Sequence, residues 1–290
     1  MSPGEEIEAM EPGIENTQLM LKTVNCPEKT IPILRTRISD FHAPTSSNFN
    51  PNELDFDPNQ TEVALAYADG DTYTGLDAVI SVWNPKVAVL AESSGSFIWA
   101  QSNSNSFGGG WMNDNFNTGC YNLRCAGFVQ TNSDFPIGGI FTPVSRIGDP
   151  QGQYSIYLRI FKDKGGGNWW LIVQEELLGY WPSTIFSGMA ERAERLFWGS
   201  KIINTKKFGR HTLTEMGSGH FPWDGFSRSS FIRNLKLIDD GYALRIPNIV
   251  SKIVTNGKCY DLSVGGGPAG DWGIFFYYGG FGGWYGCQNT

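Results

Sequence analysis

Alternation of apolar and polar positions dominates the chain. Tyr154, Ile156, Leu158 and Ile160 place every second side chain on one face, which predicts a half-buried strand over Gln153–Lys162. Glu62–Ala68 alternates in the same way and ends at the turn pair Asp69-Gly70. Thr72–Trp83 follows, so the two segments are expected to form a hairpin. Gly138–Pro143, Asn168–Gln174, Phe231–Ile238, Ala243–Ile246 and Trp272–Tyr278 also read as strands. Gly165-Gly166-Gly167 turns the chain between two of these. A 3.6-residue period occurs once. Ile185, Phe186, Met189, Ala190, Ala193, Leu196 and Phe197 fall at helical spacing, with Ser183 as a cap, which predicts a helix from Ser183 to about Trp198. Glu191, Arg192, Glu194 and Arg195 then form its solvated face. Strands following strands, rather than alternating with helices, predict an all-β antiparallel sandwich of two sheets with one short helix.

Composition agrees with short strands and tight turns. The 290 residues include 36 glycines, 14% aromatics and only 18% charged residues. A net charge of −7 argues against a nucleic-acid partner, because phosphate binding favours a basic face. No run approaches the roughly 18 apolar residues of a membrane helix. Residues 1–60 are expected to be disordered, a remnant and a polar linker, and 61–290 to be the folded domain. Asn59-Gln60-Thr61 is a glycosylation sequon that has meaning only in a secreted chain. Met1-Ser2-Pro3-Gly4-Glu5-Glu6 is no signal peptide. The expectation is that the sequence begins downstream of its natural start.

Five cysteines leave one over. Cys120 and Cys125 bracket Tyr-Asn-Leu-Arg, which favours a stapled turn over metal or redox chemistry, because no second Cys or His pair lies near. Cys259–Cys287 would close a second local loop and leave Cys26 free or paired outside the chain. Such staples suggest an oxidising compartment.

Several landmarks then fall in a recognisable order. They are Ile80-Ser81-Val82-Trp83-Asn84-Pro85, Thr118-Gly119-Cys120-Tyr121-Asn122-Leu123, Gly127-Phe128-Val129-Gln130-Thr131-Asn132 and Gly167-Asn168-Trp169-Trp170. Gly179-Tyr180-Trp181-Pro182, Glu215-Met216-Gly217-Ser218-Gly219-His220-Phe221-Pro222 and Phe275-Phe276-Tyr277-Tyr278-Gly279-Gly280 complete them. This resembles the neprosin family, secreted plant glutamic peptidases that cleave after proline, from about residue 26 to Cys287. Cys26-Pro27 through Ile33 looks like the end of the family's activation segment. The resemblance implies a two-sheet sandwich with an active-site groove across one sheet. It also implies both local disulfides, a secreted monomer, no cofactor and no metal, and a proline-containing peptide as substrate or ligand.

The chemistry of that class needs two opposed carboxyl groups, one activating water and one donating a proton. The resemblance implies a first glutamate in a Glu-Ala-Gly-Trp-like segment. No acid lies between Glu92 and Asp114, so this segment is read as deleted. Residues 93–110 are therefore expected to be poorly ordered beside an open groove. Trp111–Asn117 is matched instead to a later Tyr-Trp-Thr-like strand. The second glutamate follows Trp-Gly-Gly in the family; here Trp198-Gly199-Ser200 leads to Lys201, and an ammonium cannot act as a second carboxylic acid. Glu215 is a weak substitute, set where the family often has Gln. Glu175 and Glu176 lie in a loop near a strand end, and Glu92 is expected to be solvated. Ser218 and His220 invite a serine-hydrolase reading but lack a partner acid at a recognised spacing. Gly265-Gly266-Gly267 is a turn among strands, not a phosphate loop. The expected function is a neprosin domain, by family a post-proline endopeptidase and degenerate as written. The alternative is a non-catalytic peptide- or glycan-binding sandwich, and a skipped exon would account for the lost segment though not for Lys201.

Overall fold

The computed structural model describes residues 26–27, 30–32, 61–283 and Cys287, apart from 103–104, 114–122, 124–126, 187, 206–210, 249, 268–269 and 271. Among the described residues there are fourteen strands. They are β1 (Thr61–Ala68), β2 (Tyr73–Ser81), β3 (Ser93–Ser102), β4 (Asn105–Asn113), β5 (Val129–Gln130), β6 (Ser155–Lys162) and β7 (Trp169–Val173). The rest are β8 (Glu176–Trp181), β9 (Arg195–Ile203), β10 (Ser230–Asp239), β11 (Leu244–Arg245), β12 (Ser251–Val254), β13 (Asp261–Gly266) and β14 (Ile274–Gly279). One sheet has five strands in the order β12-β1-β9-β3-β4. The other has nine, in the order β13-β14-β10-β2-β6-β7-β8-β5, with β11 paired to β10. Every pairing is antiparallel. The all-β, two-sheet architecture is as the strand pattern predicts.

The two sheets close on one core. Ala64, Ala66, Ile98, Ala100, Trp111 and Trp198 project from the five-stranded sheet onto Leu76, Ala78, Ile80, Ile156, Leu158 and Ile160 of the other. Small Ala66 on β1 lies beside large Trp198 on the paired β9, so the same face alternates small and large side chains against the opposite sheet. The indoles also carry polar tips across the gap. Trp198 Nε1 donates to Asp77 O at 3.2 Å and Trp111 Nε1 to Ser81 O at 2.9 Å. Buried indole N–H groups are thereby satisfied while the rings fill the layer.

Several expectations are corrected. The predicted helix over Ser183–Trp198 is a single 3-10 turn, Ser183–Ile185, followed by irregular chain and then β9. The helical period fails because Leu196, Phe197 and Trp198 are consecutive and all buried, a run that a strand covered on both faces satisfies: Leu196 and Trp198 face the core, and Phe197 faces outward. β1 and β2 do not form a hairpin. Asp69-Gly70 carries the chain from one sheet to the other, and β2 pairs with β6 and β10. The described residues of 93–110 are not loose. Residues 93–102 and 105–110 pair as β3 and β4, and β3 is also paired along its length to β9. Gly138–Pro143 makes no strand, and Ile140 there is 84% exposed. β8, β12 and β13 were not predicted. The Cys259–Cys287 bridge forms, with both residues buried and their Cα atoms 4.8 Å apart, and Cys26 is unbridged. Cys120, Cys125 and Asn59 lie outside the described residues, as does nearly all of 1–60.

Candidate functional site

Register decides which side chains the five-stranded sheet turns away from the core. One row across it is Val63, Lys201, Gly95 and Met112; the next is Ile253, Leu65, Gly199, Phe97 and Gly110; a third is Ser251, Tyr67, Phe197, Trp99 and Gly108. Residues directly paired across strands share a face, so these rows form one surface, opposite to the core. Its apolar members pack as a separate cluster: Val63, Leu65 and Phe197 are buried beneath Tyr67, Trp99 and Ile253. Trp99 stacks on Phe197 with ring centroids 5.1 Å apart and an interplanar angle of 18°.

Glycines form the floor between these rings. A Cβ on Gly95 would stand 2.6 Å from the Phe97 ring, and one on Gly110 would stand 2.8 Å from Phe97 Cα. The Phe97 ring therefore folds down over positions where other residues would hold it off. Lys201, half-buried, stands in the row beside Gly95. Among the described residues, none of the outward positions of these five strands is Asp or Glu.

The carboxylates of this end of the sandwich point the other way. Glu92, fully buried rather than solvated, accepts hydrogen bonds at Oε1 from Thr205 N (3.2 Å) and Thr205 Oγ1 (3.1 Å), and at Oε2 from the Thr212 and Thr214 hydroxyls. Glu62, on β1 beside Ile202, accepts Asn204 Nδ2 at 2.9 Å and meets His211 Nε2. The His211 ring lies 5.2 Å from the Tyr260 ring, and Tyr260 Oη donates to Thr214 O at 2.7 Å. Burial pushes the Tyr260 hydroxyl well above its usual pKa, and the charges of Glu62, Glu92 and Glu215 push it further. A buried carboxylate surrounded by hydroxyl and amide donors is a structural anchor, here holding Asn204, Thr205, Thr212 and Thr214 onto the sheet.

The other candidates occupy separate places. Glu215 braces a loop, with its N–H donating to Lys86 O and its Oε2 accepting from Lys86 N, each at 2.8 Å. Glu176 begins β8 and accepts Asn132 Nδ2 at 3.0 Å; Glu175 and Glu176 are both exposed. His220 Nδ1 pairs with Asp224 Oδ2 at 2.8 Å, while Ser218 Oγ accepts the backbone N–H of His220 at 3.2 Å. Ser218 is turned toward the main chain of its own turn, and among the described residues its hydroxyl makes no hydrogen bond to the imidazole. His211, Cys259 and Cys287 cluster within 4.8 Å, but the two sulfurs are already bonded to each other, so they offer no thiolate to a metal.

Sequence reasoning missed the buried role of Glu92 and all of Glu62, His211 and Asp77. Asp77, 1% exposed on β2, accepts Tyr157 Oη at 2.9 Å and two Arg159 nitrogens at 3.0 and 2.7 Å. An acid inside an alternating strand opposite an arginine was the available signal.

The two-sheet antiparallel sandwich is the architecture that the ordered motifs imply. Residues 98–281 match the neprosin family, and the chain belongs to it. Among the described residues no helix is long and apolar enough to cross a membrane.

Proposed function

We propose that this chain is a neprosin-type domain that binds an extended, proline-containing peptide across the outer face of the five-stranded sheet and does not hydrolyse it. The observation that carries this reading is the absence, among the described residues, of any carboxylate on that face, where Lys201 stands instead. Glutamic-peptidase chemistry needs a proton shared between two acids at one water. Glu62 and Glu92 are buried on the core side and committed to hydroxyl, amide and imidazole partners, so neither is placed to take that part.

The continuous hairpin changes the account of the first glutamate. Gly108-Gly109-Gly110-Trp111 in β4 fits the Glu-Ala-Gly-Trp pattern, with Gly108 at the acid's position. On this reading the segment is present and its carboxylate has been replaced by hydrogen. Gly108 and Lys201 share the outer face, two strands apart and four residues apart along β3. Loss of both acids is what a binding module derived from a peptidase would show. The stacked Trp99 and Phe197, with Tyr67 beside them, support a platform for the pyrrolidine ring of proline. The buried Cys259–Cys287 bridge supports an oxidising, extracellular setting.

The test is a quenched fluorogenic peptide containing proline, incubated with the chain at acid pH. No cleavage above the blank is expected, and turnover that persists in Lys201→Ala and is proportional to protein would overturn the acid-less reading. In parallel, the unquenched peptide should bind saturably, and Trp99→Ala should weaken binding by about tenfold, equivalent to roughly 1.4 kcal/mol.

A further inference from the structure

The turn after β6 reads Lys162-Asp163-Lys164-Gly165-Gly166-Gly167, and it borders a cleft of about 420 Å³. Its one acid, Asp163, also lines the cleft but is engaged by neighbouring N–H donors. Asp163 accepts N–H groups from Gly166, Gly167 (3.0 Å) and Asn168 (3.2 Å), and the indole N–H of Trp170 (2.8 Å). Its carboxyl is pushed up by burial, yet those four donors outweigh this and hold it below the usual carboxylate range. The glycine N–H groups are therefore occupied by the protein's own anion.

The cations are differently placed. Lys162 is only 5% exposed, and its Nζ donates to Gly167 O and to Ala190 O at 2.7 Å. Two of its three protons are thereby spent on carbonyls and none on a carboxylate. Lys164 Nζ lies 4.8 Å from the Tyr242 ring centroid and the Arg192 guanidinium 5.8 Å from it. Among the described residues Lys162, Lys164 and Arg192 make no ion pair. Glu191 also lines the cleft, is exposed, and pairs with none of them. Burial lowers the Lys162 pKa; the charges of Asp163 and Glu191 work against this, and Arg192 adds to it. A second cleft of about 190 Å³ shares Lys162 and Tyr242 and brings in Arg159. Two cations, Lys164 and Arg192, thus share the Tyr242 ring, with Arg192 Nη1 also donating to Glu191 O at 2.8 Å, while Lys162 Nζ lies 5.6 Å from the Trp169 ring centroid; all three line the one cleft, where an entering anion would meet them together.

We propose that this cleft binds an oxyanion, a carboxylate, sulfate or phosphate group, with Lys162 as the buried donor at its base and Lys164 and Arg192 closing over it at the rim. Charge-assisted N–H···O bonds from an ammonium and a planar guanidinium suit a group with two or three oxygens. The cleft lies at the β6–β7 turn of the nine-stranded sheet, so the inference does not depend on what the outer face of the other sheet binds.

The whole chain is titrated calorimetrically at low ionic strength with inorganic phosphate, sulfate, galacturonate and, as a neutral control, galactose. Saturable one-site binding by at least one of the anions and none by galactose is expected, and the anion that binds distinguishes the carboxylate from the phosphate and sulfate sources. The double variant Lys164→Gln/Arg192→Gln, with its circular dichroism unchanged, should bind roughly tenfold or more weakly, because two charge-assisted donors are lost. Absence of saturable binding by all three anions, or binding that the double variant leaves intact, would overturn the site.

Discussion

Trp99 on β3 lies flat against Phe197 on the neighbouring β9, ring centroids 5.1 Å apart, on the side of the sheet that faces away from the core. The two rings do unlike jobs. Phe197 is 1% exposed and belongs to the packing of Val63 and Leu65, whereas Trp99 is partly exposed over it. Phe197→Ala should therefore cost about 3–5 kcal/mol of stability as a buried truncation. Trp99→Ala should cost less than half as much in the same urea titration while removing most of any peptide affinity.

Glu92 is the anchor for Thr205, Thr212 and Thr214. Glu92→Ala leaves several buried donors without an acceptor, and a loss of about 3 kcal/mol is expected. Glu92→Gln keeps one carbonyl acceptor and should lose less. Hydrogen exchange of the Thr205 and Thr214 amides would show the segment loosening in proportion.

Alkaline stability should report Tyr278. Burial raises its pKa from 10.0 to about 12, against lowering hydrogen bonds from Ser96, Ser230 and Ser81. A hydroxyl whose folded pKa is raised contributes its full stabilisation below the unfolded value near pH 10 and loses it as pH climbs towards 12. The loss amounts to about 3 kcal/mol at most for a shift of this size. Tyr278→Phe, followed by denaturant midpoints from neutral pH to above pH 11, should flatten that decline. An unchanged slope would show that other groups govern it.

The Cys259–Cys287 bridge spans 28 residues and ties the start of β13 to the C-terminal end of the chain. On the loop-entropy account its removal costs about 3–4 kcal/mol. Cys259→Ser/Cys287→Ser should unfold at correspondingly lower urea, and dithiothreitol should do the same to the parent chain. If the parent is indifferent to reductant, the bridge contributes little.

How far the sequence disclosed this molecule depended on the length scale of the signal. The alternation at Tyr154–Ile160 yielded β6, and Gly165-Gly166-Gly167 yielded the turn after it, because both are local. The 183–198 helix failed because apolar residues at 185, 189, 193 and 196 mimic a helical stripe, while the deciding fact, that Phe197 has a second apolar layer to bury in, is tertiary. The β1–β2 hairpin failed for the same reason, since Asp69-Gly70 is as compatible with a crossover between sheets as with a hairpin. The glycine run at 108–110 looked like low complexity, yet Ser96 and Phe97 lie so close to Gly110 that little else fits there. The candidate site was legible in part. Lys201 could be placed from the Trp-Gly-Ser string, but whether Glu92 and Glu62 faced the core or the groove needed the register.

The division of β1 and β2 between the sheets bears on how the protein is made. Among the described residues β1 pairs with β9 and β12 alone, so a chain growing from its N-terminus carries residues 61–68 without either partner until the ribosome has delivered residues 195–203. At common elongation rates that delay lasts on the order of ten seconds. Throughout it, Val63 and Leu65 lack the Phe197 layer that later covers them, so this strand is sticky surface for as long as synthesis of β9 takes.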